Sequence, residues 1–157
     1  MADVHTPETR RKNMRAIRGK NTKPEVVFRK LLFNAGYRYR IAPEHLPSKP
    51  DLYMPRFRAV ILINGCFWHG HNCHLFHWPK TRTQFWKSKI KESVLRDTRN
   101  IESLTRLRLR VLVVWECALK GKHRLPSPVL LSLAERWLTE YSHNAEISSS
   151  GLSFRES

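Results

Sequence analysis

Apolar and polar positions follow two different rhythms along the chain. The segments "AVILI" (59–63) and "RVLVVWE" (110–116) are short, β-branched and apolar almost without a break. Strands covered on both faces read this way, because neither side of the pleat meets water. Between them a helical period runs from about Thr83 to Leu107, so strand, helix and strand predict a parallel βαβ unit. A second stripe, starting at Asn21-Thr22, sets Phe28, Leu31, Leu32 and Ala35 at i, i+3, i+4 and i+7 and stops at Gly36. Leu130, Leu133, Ala134, Trp137 and Leu138 mark a last helix after Ser127-Pro128. Thr6-Pro7 opens a first, basic helix running to about Arg18, inside the basic segment 1–20. "YRYRI" (37–41) alternates with period two like a half-buried strand, and 142–157 reads as a loosely ordered tail. The pattern predicts a single α/β domain over 1–157, a mixed central sheet flanked by helices.

Charge narrows the choice of partner. Lys and Arg number 29 against 13 Asp and Glu, a formal net charge of +16. Such a field favours a polyanion, and nucleic acid is the commonest one. An anionic membrane is the rival, but no apolar stretch approaches the roughly 20 residues that span a bilayer. "MADVHTPETRRKNMRAIRGK" lacks the apolar core of a secretory signal. It is Arg-rich like a transit peptide, a reading that Asp3 and Glu8 weaken. Three cysteines (Cys66, Cys73, Cys117) cannot all pair within one chain, and without a signal they point to a reducing compartment.

The chemistry concentrates in "GCFWHGHNCHLF" (65–76). Cys66, His69, His71, Cys73, His74 and His77 offer soft or borderline ligands, and Cys117 closes the second apolar strand. Three thiolates and one imidazole would form the closed tetrahedral arrangement of structural zinc. The alternative is three buried thiols with solvated histidines, and spacing does not choose among the histidines. Phe67 and Trp68 sit inside the same loop, where both rings can hardly face a core. Fixed aromatics beside a basic surface suit stacking on bases, and an inserted ring pries open a base step.

Carboxylates supply the second signal. Ile90, Val94, Asp97 and Ile101 follow at i, i+4, i+7 and i+11, so Asp97 occupies the apolar stripe of the long helix. A carboxylate there needs a partner, either a histidine or an arginine. "KPDLYM" sets Asp51 at the start of a short strand, where it can hold a divalent cation or simply make a turn. Glu25 stands three residues after Thr22, a spacing that favours helix capping.

Taken together, "RRKNMRAIRGKNTKPE", "PSKPDLYM", "VILINGCFWHGHNCHLF", "TRTQFWKSKI" and "RVLVVWECAL" resemble the very-short-patch-repair (Vsr-type) mismatch endonucleases, up to about residue 140. The resemblance implies a restriction-endonuclease-like α/β fold with one structural zinc. It implies a Mg2+-dependent enzyme that nicks double-stranded DNA 5′ to the thymine of a T:G mispair, the product of 5-methylcytosine deamination. Carried over residue by residue, zinc ligation falls on Cys66, His71, Cys73 and Cys117. Asp51 and the backbone carbonyl of Ile63 would hold Mg2+, His69 would be the general base oriented by Asp97, and Glu25 would belong to the catalytic group. Phe67, Trp68 and Trp86 match an aromatic wedge entering from the major groove, and the first helix, with Met14 and Arg15, matches an element entering from the minor groove.

One position departs from the family pattern. Members often carry a second histidine where this chain has Asn64, which cannot carry a proton, and a Glu equivalent to Glu25 can pair with that histidine. The resemblance further implies a monomer in the bacterial cytoplasm, acting on DNA with downstream repair proteins and without a membrane. Two other classes stay open: a zinc-stabilised DNA-binding protein without catalysis, and an endonuclease of broader mismatch or site specificity.

Overall fold

The computed structural model describes residues 23–155, in which six strands form one mixed sheet in the order β1-β2-β3-β4-β5-β6. β1 (Arg40–Ile41), β2 (Leu52–Met54) and β3 (Ala59–Asn64) are antiparallel in turn. β4 (Arg110–Trp115) and β5 (Ala145–Ser148) continue parallel to β3, and β6 (Gly151–Phe154) returns antiparallel. The helices are α1 (Lys23–Asn34), α2 (Thr83–Arg106), the single turn α3 (Glu116–Leu119) and α4 (Ser127–Glu140). The expected first helix, with Met14 and Arg15, lies outside the described residues.

The unbroken apolar runs become the central parallel pair because each face of the sheet has its own core. Ala59, Ile61, Leu112 and Val114 join Phe28 and Leu32 of α1 and Ala134, Trp137 and Leu138 of α4. Val60, Val111, Val113 and Trp115 face the other way, toward Ile101 and Leu104 of α2. α2 is the crossover that the parallel pairing requires. At the start of β4, Arg110 donates to the carbonyls of Trp137 (3.0 Å), Leu138 (3.1 Å) and Tyr141 (2.8 Å) around the end of α4, and to Phe57 (3.0 Å). A cation there complements the negative end of the helix dipole. Among the described residues no helix is long and apolar enough to cross a membrane.

Two expectations require correction. The strand expected over 37–41 pairs only at Arg40 and Ile41. Continuing that register would set Arg38 opposite Pro55, which has no N–H to give. Tyr37 and Tyr39 are anchored by their hydroxyls instead, which donate to Glu135 Oε2 and the Arg29 carbonyl at 2.8 Å each. The second correction concerns 142–157, expected to be a loose tail: β5 and β6 form a hairpin there, and Ala145 and Ile147 are fully buried. The serines disguised a two-residue turn, while Ala145 and Ile147 supply the alternation of a strand.

Candidate metal centre and active site

Strand register explains why distant cysteines meet. Asn64 and Trp115 are Cα partners at the ends of the parallel strands β3 and β4. Two residues beyond each lies a buried cysteine, Cys66 and Cys117. The turn over 66–70 then folds back, with His71 N donating to the Cys66 carbonyl at 2.8 Å. The ligand atoms of Cys66, His71, Cys73 and Cys117 all lie within 4.8 Å of one another. Cys117 Sγ and His71 Nδ1 are 3.7 Å apart. Two donors on one tetrahedral zinc, with bonds near 2.3 and 2.0 Å, would stand about 3.5 Å apart, so this pair fits such an ion.

One donor is already in its ligating form. Burial holds His71 below the ordinary histidine range, keeping a neutral imidazole with a lone pair to offer. Burial pushes the Cys66 thiol well above its usual range; the Cys117 backbone amide works against the shift, while the charges of Cys117 and Cys73 add to it. Thiols so crowded ionise together only around a cation. Trp115 stacks flat on His71, 4.1 Å between centroids and 7° between planes, fixing the imidazole plane. Of the other histidines, His74 lies edge-on to His123 at 4.4 Å and His77 is exposed.

His69 turns away from the thiols. Its Nδ1 is 2.6 Å from Asp97 Oδ2, and both side chains are partly buried. A carboxylate can only accept, so Nδ1 carries the proton and Nε2 is left as the basic nitrogen. This partner accounts for an acid in the apolar stripe of α2. The stripe also receives the turn: a Cβ on Gly70 (φ +64°) would sit 2.8 Å from Ile90 Cγ2 and 3.1 Å from Val94 Cγ2.

Asp51 approaches the same end of β3 from β2, and its Oδ2 accepts the Ile63 N–H at 2.6 Å. Extending the β2–β3 register sets Pro50 opposite Ile63, so the ladder supplies no donor to the Ile63 carbonyl. Glu25, expected on spacing to cap its helix, is instead a buried acid, 4% exposed, hydrogen-bonded to Asp51. Burial first, and Glu25 second, push the Asp51 carboxyl up to about 8. A buried and a half-buried carboxylate beside a carbonyl without a ladder donor are an oxygen set that suits a hard divalent cation. Asn64 is buried at the end of the same strand.

Phe67, Trp68 and Trp86 meet edge to face, with centroids 5.2, 5.5 and 5.8 Å apart. Trp68 is 54% exposed. Three further rings, unremarked in the sequence, extend this patch: Phe76 stacks on Phe67, Trp78 meets Phe76, and Phe85 meets Trp86. Their crowding between 67 and 86 was the available signal. Glu116 was also missed; its Oε1 accepts the Cys66 N–H at 3.3 Å.

A sequence model described as DNA mismatch endonuclease Vsr matches residues 2–75. The chain is 44% identical to the DNA mismatch endonuclease Vsr of Escherichia coli (strain K12), over 97% of each chain. It is 43% identical to the type II nicking enzyme V.NmeAIP of Neisseria meningitidis, over 78% of this chain and 87% of that one. Against the type II nicking enzyme V.XorIIP of Xanthomonas oryzae the identity is 44%, over 76% and 88%.

Proposed function

The chain belongs to the DNA mismatch endonuclease Vsr family and is a strand-nicking endonuclease; we propose that its substrate is double-stranded DNA with a T:G mispair, nicked 5′ to the thymine. In this reading the enzyme is a monomer in the bacterial cytoplasm, and its nick begins a short repair tract completed by other proteins.

Each pair of side chains has a task in that reaction. Asp51 and the Ile63 carbonyl, with Glu25 behind them, would hold Mg2+ against the scissile phosphate. The ion supplies charge neutralisation for the phosphorane and the leaving oxygen. His69 Nε2 accepts the proton of the attacking water, help typically worth about 10²–10⁴-fold. Asp97 fixes the ring and stabilises the imidazolium that forms. Cys66, His71, Cys73 and Cys117 would hold Zn2+ in a closed structural role, because four protein ligands leave no open position. Phe67, Trp68 and Trp86 enter beside the mispair, and the basic N-terminal segment with Met14 and Arg15 faces the opposite groove.

The observation that carries this reading is the shared turn: Phe67, Trp68 and the Asp97-paired His69 are consecutive, between Cys66 and the chain's return at His71. A ring inserted into a base step therefore delivers the base nitrogen to the adjacent backbone. The test is a labelled T:G heteroduplex and its matched control, each incubated with Mg2+ or EDTA. Mg2+-dependent nicking of the T strand alone is expected. Binding without cleavage would leave a DNA-binding protein, and cutting of the matched duplex would replace mismatch recognition with site recognition.

A further inference from the structure

The three parallel strands β3, β4 and β5 end at the same level of the sheet. β3 leads to Cys66 and β4 to Cys117, and β5 leads to Ser149, whose backbone N–H donates to Cys117 Sγ at 3.4 Å. Cys117 is fully buried, so water does not compete for that sulfur. We propose that Ser149 is a positioning residue of the metal centre: its amide holds the Cys117 thiolate, tying the C-terminal hairpin to the loop that carries His69 and the rings. The inference rests on the reading of Cys66, His71, Cys73 and Cys117 as a metal site.

The electrostatics favour such a donor. Three thiolates and a neutral imidazole around a dication leave the centre one unit negative, and a peptide N–H directed at one sulfur withdraws part of that charge. Outer partners of this kind orient the ligand and tune the ion, and their loss typically costs about 10–100-fold in metal affinity. The donor comes from the main chain, so the side chain of Ser149 is dispensable to it. The hairpin presents the amide through a tight turn: Ser148 and Gly151 are paired, with Gly151 at φ +104° and Ser150 N–H donating to Ser148 Oγ at 3.1 Å.

That geometry permits a selective deletion. Ser149 occupies the second position of a turn whose two serines are absent from the left-handed region, a place where proline is well accommodated. Ser149→Pro therefore removes the N–H while keeping the turn, and Ser149→Ala keeps both. The full-length proteins are loaded with Co2+ to read the thiolate-to-cobalt charge-transfer band, and with Zn2+ to time its loss to a chelator. Ser149→Pro is expected to move the band to lower energy and to speed zinc loss about tenfold, with Ser149→Ala matching the parent chain. A Ser149→Pro protein with the parental band and release rate overturns the proposal. Should that variant fail to fold, the unmodified chain loaded with cadmium decides the matter by NMR: a scalar coupling between the metal and the Ser149 amide proton supports the contact, and its absence in an otherwise coupled spectrum refutes it. A parent chain that binds neither cobalt nor zinc overturns the metal site itself, a failure distinct from a loaded centre indifferent to Ser149.

Discussion

Cation binding at Asp51 should be coupled to proton release, and the structure sets the size of the effect. With Glu25 hydrogen-bonded beside it in a buried site, the Asp51 carboxyl stands at about 8. At pH 7 a group with that value is about nine-tenths protonated, so each cation bound expels about 0.9 proton. One unit of pKa is worth about 1.4 kcal/mol, so apparent affinity should fall about tenfold for each pH unit below 8. Between pH 8, where half the carboxyl is still protonated, and pH 6 the loss is about 50-fold, and nicking at sub-saturating Mg2+ should fall with it. The direction follows from which form the fold prefers. The raised value favours the neutral acid, so cation affinity is complete above pH 8 and declines as pH falls. Without the cation the stability dependence is reversed: the contribution of the neutral acid is present at low pH and is lost as pH rises from 4 through 8.

Calorimetric titration of Mn2+ or Mg2+ into the zinc-loaded protein, without DNA, measures this directly. Repeating it at pH 7 in buffers of different ionisation enthalpy counts the protons released. Glu25→Gln should move the pH dependence to lower pH without removing it, because burial is the larger cause and remains. Affinity that changes less than threefold between pH 6 and 8, with no proton released, would refute the reasoning and detach Glu25 from the cation site.

Three further outcomes follow. Asp97→Asn should lower the nicking rate by about 10²-fold or more with little change in mismatch affinity, because the amide no longer stabilises the imidazolium on His69; single-turnover kinetics at saturating enzyme would read it. Trp68→Ala should leave the melting temperature nearly unchanged, since that ring is 54% exposed, yet weaken mismatch binding by about 1–3 kcal/mol in a competition assay. Arg110→Met strips the donor from four carbonyls and should cost about 3 kcal/mol, roughly 6–12 °C in Tm, by thermal denaturation.

The central sheet was legible because both its faces are covered, leaving β3 and β4 apolar without interruption. Asp97 was legible as an anomaly in a helical stripe, and its partner could be guessed as a histidine or an arginine. Other features depend on which elements become neighbours. Glu25 has the spacing of a cap, but its burial follows from the packing of α1 near the start of β2, which no local pattern encodes. The hairpin at β5 and β6 was hidden because its turn is rich in serine and each strand has only four residues. Ser149 left no trace at all, since the group that reaches Cys117 is a backbone amide common to almost every residue.

Mismatch selectivity can arise here without a hydrogen bond to any base. The +16 charge attracts matched and mismatched duplex alike, through phosphates that are the same in both. Two stacked rings return about 2–6 kcal/mol. Opening a base step costs a few kcal/mol, least where the pair is already weak. These quantities nearly cancel, so a difference of about 1.4 kcal/mol in opening cost becomes a tenfold preference. A loop held at Cys66 and Cys73 by the proposed metal would keep the rings ordered before DNA arrives, and that ordering need not then be taken from the small margin. More ring surface would tip matched duplex into the open state as well and erode the preference. Raising the salt concentration should therefore weaken binding to both duplexes in parallel and leave their ratio standing. A ratio that collapsed with salt would assign recognition to the charges instead of the rings.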